Sequence, residues 1–286
     1  MLSTLALGLS GAVLFGIGML TGARASREAG VLPTLFTYSI VTVAISSLVA
    51  LAAHGTPSTA GSGDWAWLAA CGVCYAAGAG FFMLAATRGE VSLVVPIVAC
   101  DGGIAAVLSI AAGSSAVSVV SALCLAAMVV GVVLAVASGQ ESSPKGRIKL
   151  DSRTVLAAVL SAVTYGIVFF AASEVTALQP AWVTAFARAI SLLPIAFLLL
   201  RAGGMTMPKP RTWRWIVATG AADALGFTAY IAAAEGDVPV AAVTTAQYAA
   251  IGVVGGVVFF GESLSWTQRA GIAMLLVSVS LLALAS

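Results

Sequence analysis

The chain has 286 residues, of which 60% are hydrophobic and only 8% are charged, and its formal net charge is +2. A soluble globular domain carries roughly 25% charged residues, so this composition excludes a water-soluble fold. The small net charge, without a basic cluster, also excludes a nucleic-acid-binding role. Apolar runs of about 20 residues, the length that crosses a bilayer as a helix, recur along the whole chain. The sequence therefore predicts an all-α integral membrane protein.

Ten transmembrane spans are predicted, separated by short segments rich in Gly, Pro and Ser. In chain order they cover residues 2–22, 31–53, 65–87, 91–112, 116–138, 154–174, 179–200, 213–235, 239–260 and 266–285. A secretory signal peptide competes for the first of them, because Ala23-Arg24-Ala25 resembles a cleavage site. A signal peptide needs a positive residue before its apolar stretch, and this segment has none. We therefore interpret it as the first span.

The positive charges of the predicted loops fall on one side of the membrane. Twelve of the 13 Lys and Arg residues belong to the odd-numbered loops, the even loops and both termini have none, and Arg188 lies within a span. Cytoplasmic loops of membrane proteins carry the excess of Lys and Arg. The sequence therefore predicts a multi-pass protein of the bacterial inner membrane, with odd loops in the cytoplasm and both termini outside.

The two halves of the chain resemble each other at an offset of about 148 residues. Matching positions, first half and then second, are Trp65 and Trp213, Trp67 and Trp215, Gly72 and Gly220, Gly78 and Gly226, and Phe15 and Tyr165. Because five spans is an odd number, a tandem copy is inverted relative to the first, as in many secondary transporters. We expect a five-helix repeat over residues 1–140, a cytoplasmic linker over 141–153 and a second five-helix repeat over 154–286. Chance similarity between two halves rich in Ala, Val and Gly is the alternative.

The loop before the last span carries a specific pattern. Its residues Phe260-Gly261-Glu262-Ser263-Leu264 resemble the glycine–glutamate turn of EamA-type permeases in the drug/metabolite transporter superfamily. Arg188 is similar to an arginine often found in the second helix of each repeat of that family. The resemblance covers nearly the whole chain. It implies a ten-helix permease that exports amino acids, related metabolites or drugs.

The first half departs from this family pattern. Ser114 stands where the glutamate would be and Val41 where the arginine would be, so neither role is transferred to the first half. The resemblance also implies cytoplasmic termini, as in many members of the family, whereas the loop charges place both termini outside. For the orientation we follow the loop charges.

Three ionisable side chains lie near the midpoints of their spans: Asp101, Arg188 and Asp223. A charge at that depth costs roughly 2.5–3.5 kcal/mol, so each should face a cavity or a partner. The carboxylates suit a substrate amine or a proton, and the arginine suits a substrate carboxylate. The alternative is a buried pair between Arg188 and one aspartate that holds helices together. We expect the aspartates to bind substrate, and Arg188 and Glu262 to have structural or coupling roles.

The neighbours of these charges are aromatic and polar. Asp223, Phe227 and Tyr230 follow i, i+4, i+7 spacing and therefore share one helix face. The matching face of the third span carries Tyr75 and Phe82, and Gln247 and Tyr248 of the ninth span lie level with Asp101. Aromatic rings with a few polar tips suit an amphipathic organic solute, and a ring face attracts an ammonium group. The predicted substrate-binding residues are Asp101, Asp223, Tyr75, Phe82, Phe227, Tyr230, Gln247 and Tyr248.

The residue inventory excludes several kinds of chemistry. One histidine, His54, cannot supply a two-histidine metal site. The Cys71-x-x-Cys74 pair lies in an apolar run and is interpreted as small packing residues. No Walker-type phosphate loop is present, so this chain does not hydrolyse ATP. We therefore expect no catalytic residue, no metal and no cofactor.

These observations predict a secondary transporter, a monomer or homodimer in the bilayer, whose partner is a small-molecule substrate. Its expected function is export of small organic metabolites, especially amino acids and among them aromatic ones. Transport would proceed by alternating access through a midplane cavity between the repeats. Proton coupling and facilitated diffusion are equally compatible with the sequence. The alternatives are a multidrug/cation or sugar-type permease of the same fold and, in another class, a membrane-embedded enzyme or a channel.

Overall fold

A computed structural model of the protein describes residues 2–112, 151–204, 206–262 and 264–285, together with Ala127 and Val130. The helices are α1 Leu2–Ala29, α2 Val31–His54, α3 Ser62–Arg88, α4 Val91–Val98, α5 Asp101–Ala111, α6 Ser152–Ser173, α7 Pro180–Arg201, α8 Trp213–Ala234, α9 Val238–Thr245, α10 Tyr248–Phe260 and α11 Trp266–Ala285. A short 3₁₀ turn, Pro210–Thr212, leads into α8. No strand occurs within these described ranges.

Seven helical segments of the described chain are long and apolar enough to cross a membrane. They are α1, α2, α3, the α4–α5 segment, α6, α7 and the segment from Pro210 to the end of α8. For the described residues, the prediction of an all-α protein with membrane-spanning helices is therefore confirmed. The predicted fifth span over 116–138, apart from Ala127 and Val130, lies outside the described residues, as do Ser114 and most of the linker over 141–153.

Two of the predicted spans are each divided into two helices. The span over 91–112 breaks at Ala99 and Cys100, where Cys100 N–H donates to the Ile97 carbonyl at 3.3 Å in a tighter turn. Pro96 removes one helical donor before this break, and the two glycines that follow Asp101 lower helix propensity after it. Both features explain why the helix does not continue.

The span over 239–260 breaks in the same way at Ala246 and Gln247. The Thr244 hydroxyl donates to the Val240 carbonyl at 2.6 Å and lies 3.2 Å from the Ala241 carbonyl. Back-bonding of this kind bends helices, because the hydroxyl competes with backbone donors. Each of these two predicted spans therefore consists of two shorter helices in the structure.

The two ends of the bundle differ in their connections. At one end, Arg27 donates to the Ala86 and Gly89 carbonyls, each at 3.0 Å, and Thr212 donates to Glu28 at 3.0 Å. We call this the arginine-rich end, because the described loop cations lie there: Arg24, Arg27, Arg88, Arg153, Arg201, Lys209, Arg211, Arg214 and Arg269. At the opposite end, the Trp182 indole donates to the Gly55 carbonyl at 3.2 Å and Ser58 donates to the Ala177 carbonyl.

The start of α6 is held by a local cap. Asp151 accepts hydrogen bonds from the hydroxyl and the backbone N–H of Thr154, at 2.6 and 2.8 Å. These bonds lower the pKa of the Asp151 carboxyl, because they stabilise its charged form. An aspartate at this position satisfies donors that a helix start leaves free.

Candidate functional site

A narrow cavity in the interior of the bundle contains all three mid-depth charges. Eight helices contribute to it: α1, α2, α3, α5, α6, α7, α8 and α10. Its lining residues are Phe15, Gly18, Met19, Tyr38, Tyr75, Phe82, Met83, Asp101, Tyr165, Val168, Phe169, Arg188, Thr219, Asp223, Phe227 and Tyr248. Its volume is about 50 Å³. Such a volume accommodates a few water molecules, so a larger solute needs the helices to move apart.

Arg188 and Asp223 form a bidentate ion pair at the wall of this cavity. Arg188 Nε donates to Asp223 Oδ2 at 2.8 Å and Nη2 donates to Oδ1 at 3.0 Å. The guanidinium lies between two rings, with its Cζ 3.3 Å from the Tyr75 centroid and 4.1 Å from the Phe227 centroid. This pair joins α7 to α8, as the structural alternative from the sequence requires.

The ion pair leaves one nitrogen of the Arg188 guanidinium without a hydrogen bond. Arg188 is only 1% exposed, and its Nη1 is buried without a hydrogen-bond partner among the described residues. A buried donor that stays unpaired costs free energy, about 1–3 kcal/mol and more for a charged group. An acceptor on a solute in the cavity would remove that cost. Arg188 therefore has one donor left over beside its ion pair with Asp223.

Asp101 has a different environment. It is the first residue of α5, is 1% exposed, and accepts from the Tyr248 hydroxyl at 2.8 Å and from the Gly102 N–H at 2.6 Å. No ion pair joins it to a Lys or Arg in the described part of the chain. The start of a helix favours a negative charge, but a buried carboxylate still needs a proton or a cation to balance it.

Six of the eight predicted substrate-binding residues line the cavity: Asp101, Asp223, Tyr75, Phe82, Phe227 and Tyr248. Tyr230 and Gln247 do not line it. Tyr230 is fully buried, and its hydroxyl donates to the Phe169 carbonyl at 2.9 Å while its ring packs 4.4 Å from the Phe169 ring. Gln247 immediately precedes α10.

The lining residues on α2 and α6, and Phe15 of α1, were not among the predicted site residues. The hydroxyls of Tyr38 and Tyr75 form a hydrogen bond with their oxygens 2.8 Å apart. The Tyr165 ring packs against the Tyr75 ring, with the two ring centroids 6.0 Å apart. Phe15 lies 6.2 Å from the Tyr248 ring. One signal was available, since Phe15 and Tyr165 occupy matching positions of the two halves.

Glu262 lies away from the cavity, at the arginine-rich end. Its two carboxylate oxygens accept from the Val91 and Ser92 N–H groups, both at 2.8 Å, and Arg27 Nη2 lies 3.9 Å from Oε1. The preceding Gly261 has a positive φ of 66°, which favours glycine. Glu262 therefore satisfies the free donors at the start of α4 from the other half of the chain.

The described residues do not form a metal site. Among them, no group of three or more His, Cys, Asp and Glu side chains is arranged to hold a metal ion. The chemistry available in the cavity is ionic pairing, hydrogen bonding and contact with aromatic rings.

Comparison with known proteins adds a family and a fold. Residues 152–284 match the EamA-like transporter family, a family of transporters and not of enzymes. A solved structure titled only "Crystal structure of protein" is similar to this chain with a TM-score of 0.69 and 17% sequence identity, covering 99% of this chain and 97% of its own. At that identity the likeness shows a shared fold. No curated protein sequence matches the chain.

Proposed function

We propose that this membrane transporter, a member of the drug/metabolite transporter superfamily with an EamA-like domain over residues 152–284, exports amino acids and related small metabolites by alternating access. One observation carries the proposal. A buried guanidinium with one unpartnered nitrogen and a buried carboxylate without a cation line the same cavity. An α-amino acid carries both complementary charges, an acidic group and an ammonium, close together.

The two charged groups of an amino acid have separate partners in this proposal. The substrate carboxylate accepts from Arg188 Nη1, and the substrate ammonium replaces the missing cation beside Asp101. Asp101, Asp223 and Arg188 are the charged residues that line the cavity, which gives it a formal charge of −1 when both carboxyl groups are ionised. A zwitterion that also contacts aromatic faces fits this balance better than an anion does.

The substrate side chain would contact an apolar and aromatic surface. Phe15, Phe82, Val168 and Phe169 line the cavity together with the polar groups. Such surfaces favour apolar and aromatic side chains over charged ones. We therefore propose phenylalanine, tyrosine and tryptophan as the preferred cargo.

We further propose two inverted five-helix repeats, over residues 1–140 and 154–286 with the linker 141–153 between them. Matched contacts across the halves support this. A Cβ atom on Gly78 would lie 3.2 Å from the Tyr165 ring, and one on Gly226 would lie 3.4 Å from the Phe15 ring. Asp101 and Tyr248, which are bonded to each other, also occupy matching positions at the two helix breaks.

A second pair of contacts supports the same symmetry. A Cβ atom on Gly16 would lie 2.6 Å from Cβ of Ile251, and one on Gly166 would lie 2.6 Å from Cβ of Ile104. Each first helix of a half thus packs closely on the broken helix of the other half. Relative motion of two such halves about a central site is the basis of alternating access.

For the orientation, we propose that the arginine-rich end faces the cytoplasm of a bacterial cell and that both termini lie outside. The support is the distribution of loop cations, all of which gather at that end in the described chain. The rule that cytoplasmic loops are positive makes the opposite orientation unfavourable.

A cation or multidrug permease is the second candidate, and Asp101 favours it, because a carboxylate within an aromatic cavity also suits an organic cation. A sugar-phosphate permease is disfavoured, since Arg188 is the single cation among the described lining residues. The unpartnered Nη1 of Arg188 distinguishes the first two candidates. It has a role when the cargo carries a carboxylate and none when the cargo is a simple cation.

Counterflow in proteoliposomes that hold the purified full-length protein tests the proposal. Vesicles are loaded with each of the twenty amino acids in turn, and uptake of labelled phenylalanine is followed, with protein-free vesicles as the control. Two truncated analogues complete the panel: phenethylamine, which lacks the carboxylate, and 3-phenylpropanoate, which lacks the amine. Exchange with phenylalanine and with neither analogue supports the proposal. Exchange of labelled phenethylamine alone would replace it by the cation permease, and no amino-acid exchange would refute it.

A further inference from the structure

A second cavity lies on the side of the bundle, between α1, α8 and α10 near the arginine-rich end. Its volume is about 330 Å³, several times that of the central cavity. Ile17, Leu20, Thr21 and Arg24 line it from α1, and their spacing places them on one face of that helix. We call this cavity the lateral groove.

The middle of the groove is mainly apolar. Leu20 packs into the space that Gly255 leaves, since a Cβ atom on Gly255 would lie 2.2 Å from the Leu20 side chain. This close approach of α1 and α10 forms the floor. Phe259 forms a wall and is 74% exposed, and Ile17 is 42% exposed. An occupant of this part must be apolar, because the walls offer it few polar groups.

The end of the groove toward the loops is cationic and offers unused donors. Arg24 is 44% exposed and its Nε donates to Glu28 at 2.8 Å, while its Nη groups bond to no other described residue. The Trp215 Nε1 is buried and has no acceptor among the described residues. Arg214 adds a second guanidinium, 4.6 Å from the Trp215 ring centroid. Donors and positive charge therefore meet where the apolar surface ends.

We propose that the lateral groove binds one anionic phospholipid, with an acyl chain along Ile17, Leu20 and Phe259 and the phosphate at Arg24 and Trp215. A phosphate group presents only acceptors, which match an indole N–H and a guanidinium. An apolar channel with a cationic rim matches the two parts of a lipid at the depth where lipid headgroups lie. The buried Trp215 donor gains a partner in this arrangement, which removes the cost of leaving it unsatisfied.

Fluorescence quenching by lipids brominated on their acyl chains tests the location. The full-length protein is reconstituted in phosphatidylcholine vesicles that contain a minor fraction of brominated phosphatidylglycerol or, separately, brominated phosphatidylcholine. The contribution of Trp215 is obtained by difference from Trp215→Phe. Trp266, 80% exposed at the same end, is the matched reporter through Trp266→Phe. We expect phosphatidylglycerol to quench Trp215 more than phosphatidylcholine does, and both lipids to quench Trp266 equally.

Arginine variants test the headgroup contact. Arg24→Gln should weaken the phosphatidylglycerol preference at Trp215 about tenfold, the loss expected for one charge-assisted hydrogen bond. Arg201→Gln is the control, because Arg201 lies at the same end of the bundle but does not line the lateral groove. Its Cζ lies 5.1 Å from the centroid of the Phe197 ring. Native mass spectrometry after mild delipidation provides a second readout, in which one phosphatidylglycerol stays on the parent protein and is lost from Arg24→Gln. Equal quenching of Trp215 by both lipids, or retention of that lipid by Arg24→Gln, would overturn the proposal in favour of ordinary annular lipid.

Discussion

Asp101 and Asp223 line the same cavity and are both buried, yet different groups stabilise them. Asp223 receives two hydrogen bonds from the Arg188 guanidinium. Asp101 receives one from the Tyr248 hydroxyl and one from the adjacent backbone. The first carboxylate has a fixed counter-charge within the fold, and the second has none in the described chain. At Asp101 a proton or an external cation has to supply the balancing charge, so exchange of one for the other leaves the ion pair of the scaffold intact.

This difference indicates separate roles for Asp101 and Asp223, which the sequence alone does not distinguish. The Arg188–Asp223 pair joins α7 to α8 and leaves the arginine Nη1 without a hydrogen-bond partner in the described chain. The Asp101–Tyr248 pair joins the breaks of two divided helices, one from each half. A change of charge at the first pair should act on both stability and transport, and a change at the second should act on transport alone. Variants at each pair distinguish the two roles.

The largest effect is expected for Arg188→Gln. It leaves Asp223 buried without a counter-charge, which costs about 3–5 kcal/mol of unfolding free energy. The double variant Arg188→Gln/Asp223→Asn removes both charges and should recover most of that loss, while phenylalanine exchange stays low because the carboxylate partner is gone. Thermal unfolding in detergent measures the first effect and counterflow the second. A single variant as stable as the parent would show that the pair does not hold the fold.

The next effect is expected for Asp101→Asn, which should leave stability unchanged or raise it. Asp101 forms no ion pair with a Lys or Arg of the described chain, so the substitution leaves no buried cation without its partner. Exchange of phenylalanine should fall about tenfold to a hundredfold, because the ammonium loses a charge-assisted hydrogen bond. Counterflow rates per folded protein are the measurement. Cys100→Ala, at the neighbouring position in the helix break, is the matched control and should retain the parental rate.

Parental rates in both Asp101→Asn and Asp223→Asn would remove the aspartates from the transport mechanism. If both variants instead transport more slowly and lose the same amount of stability, the two aspartates have the same role, and the division of roles proposed for them is wrong.

The Tyr248 hydroxyl should contribute less than the carboxylate it contacts. Tyr248→Phe keeps the ring and its contact with Phe15 but removes the hydrogen bond to Asp101. We expect the half-saturation concentration for phenylalanine to change roughly three- to tenfold, the range for one hydrogen bond. Tyr230→Phe is the control, because Tyr230 does not line the cavity and its hydroxyl donates to the Phe169 carbonyl and not to Asp101. A parental half-saturation value in Tyr248→Phe would show that the hydrogen bond from Tyr248 to Asp101 does not contribute to substrate binding.

Much of the fold and part of the site follow from properties that the sequence carries locally. Hydropathy predicts the membrane helices, and the cost of a charge at mid-depth is enough to single out Asp101, Arg188 and Asp223. Helical spacing then places Phe227 on the face of Asp223. These inferences need only one helix at a time, and the structure brings all four residues to one cavity.

What the sequence could not predict depends on contacts between distant segments. Which aspartate pairs with Arg188 is decided by the packing of α7 on α8, and both residues were reasonable partners from depth alone. Tyr38 gave no signal, since its role arises from a hydroxyl contact with Tyr75 on another helix. The helix break near Asp101 does carry a local signal, Pro96 and the Gly102-Gly103 pair, whereas the break at Ala246 has no proline or glycine beside it and could not be placed from the sequence.

The smallest effect is expected where the two divided helices are anchored. The start of α9 is capped by its own Asp237, which accepts from the Val240 N–H at 2.8 Å, whereas the start of α4 is capped by Glu262 from the other half. Glu262→Gln keeps one acceptor oxygen and loses the charge, so it should cost about 1 kcal/mol. Hydrogen exchange should then accelerate at the Val91 and Ser92 amides.

Asp237→Asn is the matched variant at the local cap, and its effect should stay at the Val240 amide. Because Glu262 joins the helix that precedes Asp101 to the second half of the chain, loosening it should also change the exchange rate of phenylalanine. Loosening the Asp237 cap should not, since that contact stays within one short segment. Equal transport in the two variants, with faster amide exchange in each, would mean that the anchor of α4 serves stability alone and that Asp101 acts independently of it.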